Sequence, residues 1–567
     1  MSSRHRMVPE LSTILLLFVM HHAAFAQADP PDRVARLNFI QGVVSCLPSG
    51  GDQDDWVAAS LNRPLTTGDR LWADTSGRSE LHIGANAIRI DSSTGMSFLN
   101  LDSTTVQIRL SEGSMIVRLR RLDPDNAFEV DTPNVAFPIR RPGDYRIDTH
   151  PDRNVTVITV RQGEGEAVGG GRSWQIISDQ QAIFTGTDNL EYDLRDADAQ
   201  PTSEFDSWAR KRDEHEDHVA SVRYVSSEVT GYEDLDANGT WSREPELGWC
   251  WIPTVIPSGW APYRHGHWVW IAPWGWTWVD DAPWGFAPFH YGRWAYRRTH
   301  WIWVPGPIVV RPVYAPALVA WVGGPGFGVS VAVGGGGIGW FPLGPREVFV
   351  PPYRVSRTYV TNVNVTNTIV NSTTVVNVYE NRGAHSRTYV NRTAPGGVTV
   401  VSHEAFVAAR PVARSMIEVP QRELAAAPVS REIAAVPDRA GVYGAGRRGA
   451  PHPPAPVMNR AVVAVRNPAP EPNQFAPVQN VRPDRPANRA PEPQRNAPAS
   501  STPDRSAERS QRAPHQEVRQ APPVRPPTPA EQTSRQAKQK AWENAHPRNP
   551  DGQNRKDKPD RKGQPHN

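Results

Sequence analysis

Short runs of alternating hydrophobic and polar residues fill residues 34–187, and turn-forming residues separate them. Alternation with a period of two places the apolar side chains on one face of an extended strand. Almost no helical periodicity interrupts this pattern. Residues 33–190 are therefore predicted to form an all-β domain, either a sandwich, a barrel or a roll. The predicted strands are 34–46, 79–83, 87–91, 105–110, 114–119, 127–131, 143–148, 155–161 and 182–184. A turn is predicted at Gly113, between the strands 105–110 and 114–119.

A tryptophan repeat dominates the next part of the chain, which we predict to be a module at 228–350. The repeat consists of Gly-x-Trp, a gap of six or seven residues, and Trp-x-Trp followed by Ile or Val. Trp-x-Trp places two indoles on one face of a strand, and the intervening Gly and Pro supply turns, so each copy is predicted to form a β-hairpin. The copies run from Gly239-Thr240-Trp241 to Trp249-Cys250-Trp251-Ile252, from Gly266-His267-Trp268 to Trp276-Thr277-Trp278-Val279, and from Gly292-Arg293-Trp294 to Trp301-Ile302-Trp303-Val304.

These indoles have two readings, and the sequence leaves both open. One buried tryptophan removes roughly 150–250 Å² of surface from water. The many tryptophans of this small module can therefore form its whole core. If one face of the sheet stays open instead, they form an aromatic platform for sugar rings, a Pro-rich peptide or a partner protein. We favour the core. The candidate ligand- or partner-binding residues under the second reading are Trp249, Trp251, Trp260, Trp268, Trp270, Trp276, Trp278, Trp294, Trp301 and Trp303.

The remaining segments are less regular. Residues 200–223 are predicted to form a connecting helix that starts after Ser203 as N-cap, with the charged stretch 210–218 as its solvated face. Residues 351–440 are predicted to be extended and partly ordered: 360–379 are rich in Asn, Thr and Val, which favours strand over helix. Residues 441–567 are rich in Pro, Ala and Arg and have few aromatics, which predicts a disordered tail.

Charge and the N-terminus indicate where the protein works. The formal net charge of +3 combines a basic tail with a mildly acidic body. Two arginines, an apolar run at 11–20 and Ala24-Phe25-Ala26 predict a secretory signal peptide at 1–26 and Gln27 as the first mature residue. We predict no membrane-spanning segment after cleavage. The expected location is the periplasm, with secretion or outer-membrane association as alternatives, and this argues against nucleic acid as a partner of the basic tail.

Six motifs follow one another in residues 33–190: Arg63-Pro64-Leu65-Thr66-Thr67-Gly68-Asp69-Arg70-Leu71, Arg78-Ser79-Glu80-Leu81, Gly113-Ser114-Met115-Ile116-Val117-Arg118, Phe128-Glu129-Val130-Asp131-Thr132-Pro133, Gly143-Asp144-Tyr145-Arg146 and Val160-Arg161-Gln162-Gly163. Together these motifs resemble the FecR-like domain. The resemblance implies an extracytoplasmic, β-rich, non-enzymatic domain. The best-known members of that family relay a signal from an outer-membrane receptor to a sigma factor, using a cytoplasmic segment and a membrane helix where this chain has the signal-peptide pattern.

The Trp repeats and the segment after them are similar to an uncharacterised Trp-rich domain that often follows FecR-like domains in exported proteins of Gram-negative bacteria. That resemblance implies an architecture and no activity. The complete expectation is thus a mainly β protein: a FecR-like all-β domain, a connecting helix, a Trp-rich β-hairpin repeat module and a disordered Pro-rich C-terminal tail.

No group of residues along the chain assembles a catalytic site, so we predict no enzyme activity, no cofactor and no metal. His265 and His267 share one strand face, but the repeat places Arg293 and Thr240 at the position of His267. The adjacent Asp280 and Asp281 point to opposite sides of an extended chain, which favours a turn over acid–base catalysis. The following residues were also weighed and given structural roles: the glycines of 323–328 and 334–337 as turns or a flexible loop, 215–218 as a polar helix face, and Cys46 and Cys250 as two thiols in preference to a disulfide.

Three functions remain as hypotheses. The first is a non-enzymatic interaction or scaffold protein of the cell envelope, which binds an envelope protein or glycan through the Trp repeats and the basic tail. The second is a FecR-like sensory or regulatory protein of envelope signalling. The third is a carbohydrate-binding module. The partner and the oligomeric state are not readable from the sequence.

Overall fold

The computed structural model describes residues 29–197, 202–322, 337–380, 389–472 and 518–540, apart from 431, 432, 434, 445, 447, 448, 534, 535, 538 and 539. The signal-peptide prediction and the glycines of 323–328 and 334–336 therefore lie outside the described residues. The fold is mainly β, as predicted. Within the described ranges, no helix combines the length and the apolar character needed to cross a membrane.

The N-terminal β domain is built from two sheets around one apolar core. The first sheet has the strand order β4-β1-β6-β7-β9-β12-β13-β16-β17, and the second has the order β3-β2-β5-β8-β9-β10-β11-β14-β15. The strands are β1 (Ala35–Gln41), β2 (Val44–Leu47), β3 (Val57–Ala58), β4 (Pro64–Leu65), β5 (Arg70–Ala73), β6 (Arg78–Ile83), β7 (Asn86–Ile90), β8 (Thr94–Leu101), β9 (Thr105–Leu119), β10 (Ala127–Asp131), β11 (Ala136–Ile139), β12 (Gly143–His150), β13 (Val155–Gln162), β14 (Glu164–Gly169), β15 (Arg172–Ile177), β16 (Gln180–Thr185) and β17 (Glu191–Asp196).

Strand β9 belongs to both sheets and ties them together. Its first half pairs with β8 and β10, and its second half pairs with β7 and β12. The predicted turn at Gly113 was wrong, because the residues on both sides continue as one strand of 15 residues. Gly113 lies at the change of sheet with φ +95°, and a Cβ there would lie 2.2 Å from Thr94 Oγ1. Glycine therefore permits a bend within the strand instead of ending it.

The three tryptophan repeats form the three predicted hairpins. The first and third hairpins join in a sheet of order β18-β19-β23-β22, and the second stands as a separate pair, β20-β21. In each hairpin two indole-bearing residues face each other across the strands: Trp241 and Trp251, Trp268 and Trp278, and Trp294 and Trp303. The strands are β18 (Gly239–Glu244), β19 (Gly248–Pro253), β20 (Gly266–Ile271), β21 (Gly275–Asp280), β22 (Arg293–Arg297) and β23 (His300–Val304).

The glycine of Gly-x-Trp makes room for the last indole of the same copy. A Cβ on Gly239 would lie 2.3 Å from Trp251 Cε2, and a Cβ on Gly292 would lie 2.5 Å from Trp303 Nε1. A Cβ on Gly266 would lie 2.8 Å from the Trp278 ring and 2.2 Å from a backbone oxygen. The three indoles therefore lie directly over bare backbone, which explains why Gly and the second Trp of Trp-x-Trp occur together in every copy.

A fourth hairpin belongs to the module, and the sheet around it extends the module beyond residue 350. Strands β24 (Val319–Val322) and β25 (Gly337–Pro342) bring Trp321 opposite Trp340, and β26 (Thr399–Ser402) and β27 (Val429–Ser430) extend this sheet on its two sides. Residues 399–407, within the segment predicted to be extended and partly ordered, are therefore part of the tryptophan module. Short helices complete it: α2 (Leu235–Asn238), α3 (Ala287–His290), α6 (His403–Val407), α7 (Gln421–Ala426) and α8 (Arg439–Tyr443).

The prediction of an extended segment at 360–379 was wrong, because helices α4 (Arg357–Val365) and α5 (Ser372–Glu380) occupy it. The buried valines are spaced by three, at Val360 and Val363 and again at Val375 and Val378, which is a helical spacing that the β-branched composition obscured. Asn364 donates to the Val360 and Phe349 carbonyls. Tertiary contacts thus override the strand preference of Asn, Thr and Val.

The connecting helix and parts of the tail lie against the β domain. Helix α1 (Glu204–Glu216) starts after Ser203, whose hydroxyl accepts from the Asp206 amide as predicted for the N-cap. Of the tail predicted to be disordered, the structure describes 441–444, 446, 449–472 and parts of 518–540. These contain α9 (Ala455–Met458) and a parallel pair of strands, β28 (Val462–Ala464) and β29 (Val518–Gln520), and β28 contacts β9, β10 and β11.

Replacing the repeat glycine tests whether the indole contact holds the hairpins together. We expect Gly266→Ala to lower the free energy of unfolding by about 3 kcal/mol or more, because the new Cβ overlaps both an indole and a strand carbonyl. Gly248→Ala is the control, since a Cβ at this position has no atom within 4 Å. Its only cost is the backbone strain of an alanine at φ +78°, about 1–2 kcal/mol. Urea unfolding followed by tryptophan fluorescence measures both, and equal losses would contradict the proposed role of the contact.

Candidate functional site

The ten tryptophans predicted as binding residues lie mostly in the core. Eight of them are buried and pack into one aromatic cluster: Trp251, Trp260, Trp268, Trp276, Trp278, Trp294, Trp301 and Trp303. Trp268 alone contacts the rings of Trp278, Trp321, Trp340 and Phe406. Trp270 is only partly buried, and Trp249 is 43% exposed. A broad aromatic platform is therefore not present on the described surface, and Trp249 is the one of the ten indoles that is substantially exposed.

Trp249 belongs to a small aromatic group at the edge of the four-stranded sheet, which we call the aromatic edge (Tyr224, Trp241 and Trp249). The Tyr224 ring centroid lies 4.7 Å from that of Trp241 and 4.6 Å from that of Trp249. Trp241 also donates from Nε1 to the Ser221 hydroxyl at 2.9 Å, which fixes its orientation. Exposed Arg243 stands opposite Trp249 in the strand pairing. The edge thus combines Trp, Tyr and Arg, the residue types that contribute most to binding surfaces.

A second feature, invisible in the sequence patterns, joins the three parts of the molecule. We call it the charge junction. Its members are buried or half-buried charged side chains whose distances to one another are those of ion pairs. Arg36, Glu80, His82, Arg89 and Arg120 come from the β domain, Arg212, Asp213 and Glu216 from α1, and Glu233 and Asp234 from the turn before β18.

Glu80 is the centre of this junction on the β-domain side. Its side chain is fully buried, and both oxygens are bound. Arg89 donates from Nε to Oε2 at 2.6 Å, and Arg212 of α1 donates to each oxygen at 2.6 Å. One carboxylate therefore holds the helix and the sheet together through two guanidinium groups, which is a strong, geometrically specific form of charge pairing.

His82 links the β domain to the turn of the tryptophan module. Its Nδ1 contacts Glu233, and its Nε2 lies 3.1 Å from Glu80 Oε1 and 3.4 Å from Glu216 Oε1. Burial opposes a charge on this ring, but the carboxylates of Glu233, Glu216 and Glu80 outweigh it and raise the pKa of His82 well above 6.5. The same contacts hold the pKa values of Glu80 and Glu233 below 4.5 despite their burial. The fold therefore favours the charged form of His82.

Arg36 completes the link from β1. Its guanidinium contacts Glu233 and Asp234, and NH2 donates to the Pro283 carbonyl at 2.6 Å. Beside it, Asn62 donates to the carbonyl of Asp280, the last residue of β21, and to that of Ala282. The β domain thus holds two separate turns of the tryptophan module, and the two units share one polar interface.

The solvated helix face predicted for residues 210–218 was wrong for the half that includes Arg212, Asp213 and Glu216. These side chains enter the charge junction, while His215 and His218 remain exposed. Glu80, His82 and Glu216 offer ligand atoms within 4.8 Å of one another, as a metal site would require. However, the arginines around them already supply the positive charge that an ion would bring, so the geometry favours ion pairing.

The other candidates take structural roles. His267 and His290 are buried, and burial lowers their pKa values to about 4 and about 3. Among the described residues, neither joins His265 or His300 in a ligand group. Asp280 accepts from Trp278 Nε1 and from the Ala282 amide, both at 3.0 Å, which confirms a turn role.

The two cysteines, Cys46 and Cys250, are buried and free, as predicted. Burial raises the pKa of Cys46 to about 12 and that of Cys250 to about 11, so both are thiols at neutral pH.

A shallow pocket of about 240 Å³ lies in the tryptophan module. It is lined by residues of the hairpins and of the segment that follows them, including Tyr296, Arg346 and Asn391. Its lining groups form no catalytic arrangement of nucleophile and base.

Comparison with known proteins gives one family match. Residues 232–347 match a family of unknown function (DUF6600). The matched region contains the four hairpins described so far, and it begins at the turn that carries Glu233 and Asp234. The charge junction therefore draws two of its carboxylates from the matched region and its arginines from outside it.

Two crystal structures of a "putative anti-sigma factor" from Parabacteroides distasonis ATCC 8503, at 2.50 and 1.65 Å resolution, are similar to part of this chain. They are 15% and 13% identical to it, with a TM-score of 0.20 for each. Each match covers 22% of this chain, and the chain spans 59% of the length of those structures. No curated protein matches the chain.

Charge pairing at His82 predicts a dependence of stability on pH. Because the fold raises the pKa of His82, its stabilising contribution is complete below about pH 6.5 and is lost as the pH rises through the folded-state pKa. We expect His82→Gln to lower the free energy of unfolding at pH 6 by about 3 kcal/mol, since it removes a buried positive charge that three buried carboxylates share. It should also remove the part of the decline above pH 6.5 that belongs to this residue.

Urea unfolding at several pH values measures this effect. Exposed His218 on α1 offers a matched control, and His218→Gln should follow the wild-type curve. Adding Glu233→Gln to His82→Gln removes one charge of each sign and should restore part of the lost stability. A pH profile that is the same in wild type and His82→Gln would show that His82 is not a buried cation.

Proposed function

We propose that the protein is a non-enzymatic interaction or scaffold protein of the cell envelope and that it binds an envelope protein or glycan at the aromatic edge. The observation that carries this proposal is Trp249. It is 43% exposed, whereas eight of the other predicted binding tryptophans are buried. An indole held open by ring contacts with Tyr224 loses little conformational freedom on binding, which favours its use as an anchor.

The position of the edge supports the same proposal. Strand β18 pairs with β19 on one side and, in the described part of the chain, with no strand on the other. An open edge strand can accept an extended partner chain through its backbone groups, and a neighbouring aromatic ring can select side chains or stack on a sugar ring. The rigid support comes from the core tryptophans and from the charge junction, which fix β18 relative to the β domain.

The proposed location rests on the N-terminal pattern and on the resemblance of residues 33–190 to the FecR-like domain. We propose export with cleavage after Ala26. Expression in a Gram-negative host should yield a periplasmic form whose N-terminal peptide begins at Gln27, read by mass spectrometry of the purified protein. An intact N-terminus at Met1 in the cytoplasmic fraction would contradict export.

An exposed tryptophan that binds a partner and a buried tryptophan that stabilises the core should respond differently to replacement by alanine. A photocrosslinking residue in place of Arg243 should capture one dominant envelope component. Trp249→Ala in that background should reduce the capture at least tenfold and leave the melting temperature within about 2 °C, because little surface packing is lost. Val255→Ala is the matched control, since Val255 is 81% exposed and lies outside the edge. Capture that persists in Trp249→Ala would contradict the proposal.

Trp268→Ala provides the opposite case. This side chain is 1% exposed, and its removal should cost about 3–5 kcal/mol of stability. Unfolding in urea, followed by circular dichroism, measures the loss. If Trp268→Ala abolished capture with no loss of stability, the core indoles would take part in binding and the assignment to Trp249 would be wrong.

A further inference from the structure

The outer face of the second sheet is polar in sequence and nevertheless buried. On β9, Gln107, Arg109 and Ser111 alternate with the core residues of the strand, and on β10, Glu129 and Asp131 do the same. The exposures of these five side chains are between 0% and 6%. Polar side chains on an outward face are normally solvated, so something covers them.

The cover is a segment of the chain's own C-terminal part, residues 457–472, which we call the strap. Val457 packs against Leu47, Trp56 and Trp72 at one end. At the other end, the Ala469 amide donates to the Leu99 carbonyl, and Ser49 donates to the Pro472 carbonyl. Between these points the strap crosses β9 and β10 in an extended conformation that includes β28.

Two arginines of the strap meet two acidic groups of the face. Arg460 donates to the Ser111 carbonyl at 2.9 Å and to Glu112 Oε2 at 3.2 Å. Arg466 donates from NH1 to Glu129 Oε2 at 2.9 Å. The strap therefore presents an apolar side chain, then an arginine three residues on, then a β-strand, then a second arginine.

Glu129 is the residue of this face whose partners in the strap are most complete. Its side chain is 0% exposed. The Val465 and Arg466 amides donate to its Oε1 at 2.7 and 3.2 Å, and the Arg466 guanidinium binds its Oε2. All of these donors come from more than 330 positions away in the sequence. A buried carboxylate without partners is costly, so this position is built to bind an extended chain through two successive amides and an arginine.

The strap is held differently from the strands beneath it. Towards the β domain, the Val463 amide donates to the Thr132 carbonyl at 2.9 Å, and the other bonds run through side chains or lie at the ends of the strap. The strand of the strap, β28, has its ladder of three residue pairs with β29, which also belongs to the C-terminal part of the chain. Strands β9 and β10, in contrast, share a continuous ladder over five residue pairs. A segment that is joined to a sheet by isolated hydrogen bonds opens at lower free energy than the strands that are paired within that sheet.

We propose that this face, defined by Leu47, Trp56, Trp72, Glu112 and Glu129, is a peptide-binding groove that the strap occupies in the free protein, and that its partner is an extended arginine-bearing segment of another protein that replaces the strap. The groove stands apart from the aromatic edge and is independent of the function proposed for it. The occupant is defined by charge complementarity: an apolar residue and two arginines at the spacing of Val457, Arg460 and Arg466.

A labelled synthetic peptide with the sequence of residues 457–472 is the probe. In the full-length chain, Arg466→Ala weakens the chain's own strap and leaves the groove intact. Fluorescence anisotropy should show at least tenfold tighter binding of the peptide to Arg466→Ala than to wild type, because the wild-type groove is filled. Adding Glu129→Gln to Arg466→Ala should abolish this gain, whereas Glu191→Gln, a change on the exposed edge of the first sheet, should not.

Equal binding to wild type and Arg466→Ala, no binding to either, or binding that ignores Glu129→Gln would overturn the proposal. An exchange of straps between two copies of the chain, seen as an Arg466-dependent dimer by light scattering, would overturn it as well. A second measurement covers the case in which Glu129→Gln does not fold. In the unaltered chain, amide hydrogen exchange of residues 459–472 should be at least tenfold faster than that of 127–131, and equal rates would show that the strap is a permanent part of the domain.

Discussion

The tryptophan module depends on one contact, an indole lying on a glycine across a hairpin. A glycine has no side chain, so the ring approaches the backbone of the opposite strand and is covered there, as Trp251 is by Gly239. Repeating this contact gives several short strands a common core without long aliphatic side chains. The ring–ring contacts then connect the hairpins, since Trp268 and Trp340 belong to different sheets and their centroids lie 5.3 Å apart. This geometry leaves few indoles on the surface. The exposure of Trp249 at a sheet edge is therefore an exception within the module.

Charged groups, in contrast, hold the units of the molecule to one another. Glu80 and His82 lie on one strand, β6, and their partners come from α1 and from the turn before β18. Replacing a buried pair with apolar residues is often neutral or favourable for stability, so such a junction is better explained by specificity. It fixes one orientation between the β domain and the tryptophan module, because the buried carboxylates meet their shared guanidinium and imidazolium partners only in that orientation. The aromatic edge inherits that orientation through α2 and β18.

Local patterns predicted the local structure well. The hairpins could be predicted because Gly-x-Trp and Trp-x-Trp encode both the strand and its partner, and the start of α1 could be predicted because Ser203 caps it. The two helices at 357–380 could not, since their buried valines have a strand-forming composition and only tertiary contacts such as that of Asn364 with Phe349 decide the conformation. The charge junction and the strap contacts escaped for a different reason. Glu80 and Arg212 are 132 residues apart, and Glu129 and Arg466 are 337 apart, so no window of sequence contains both partners.

The strap shows how a polar tail gains order without a core of its own. Its composition cannot bury enough apolar surface to offset chain entropy, and accordingly Val457 shares its apolar cluster with three residues of the β domain. What remains is a set of charge-assisted hydrogen bonds to groups that the β domain has placed in advance on β9 and β10. Such bonds are strong only while water is excluded, and Glu129 is fully covered only while a chain lies over it. The face is therefore specific for the chemistry of an extended, arginine-bearing chain. Any chain that supplies two successive amides and a guanidinium in this geometry satisfies Glu129.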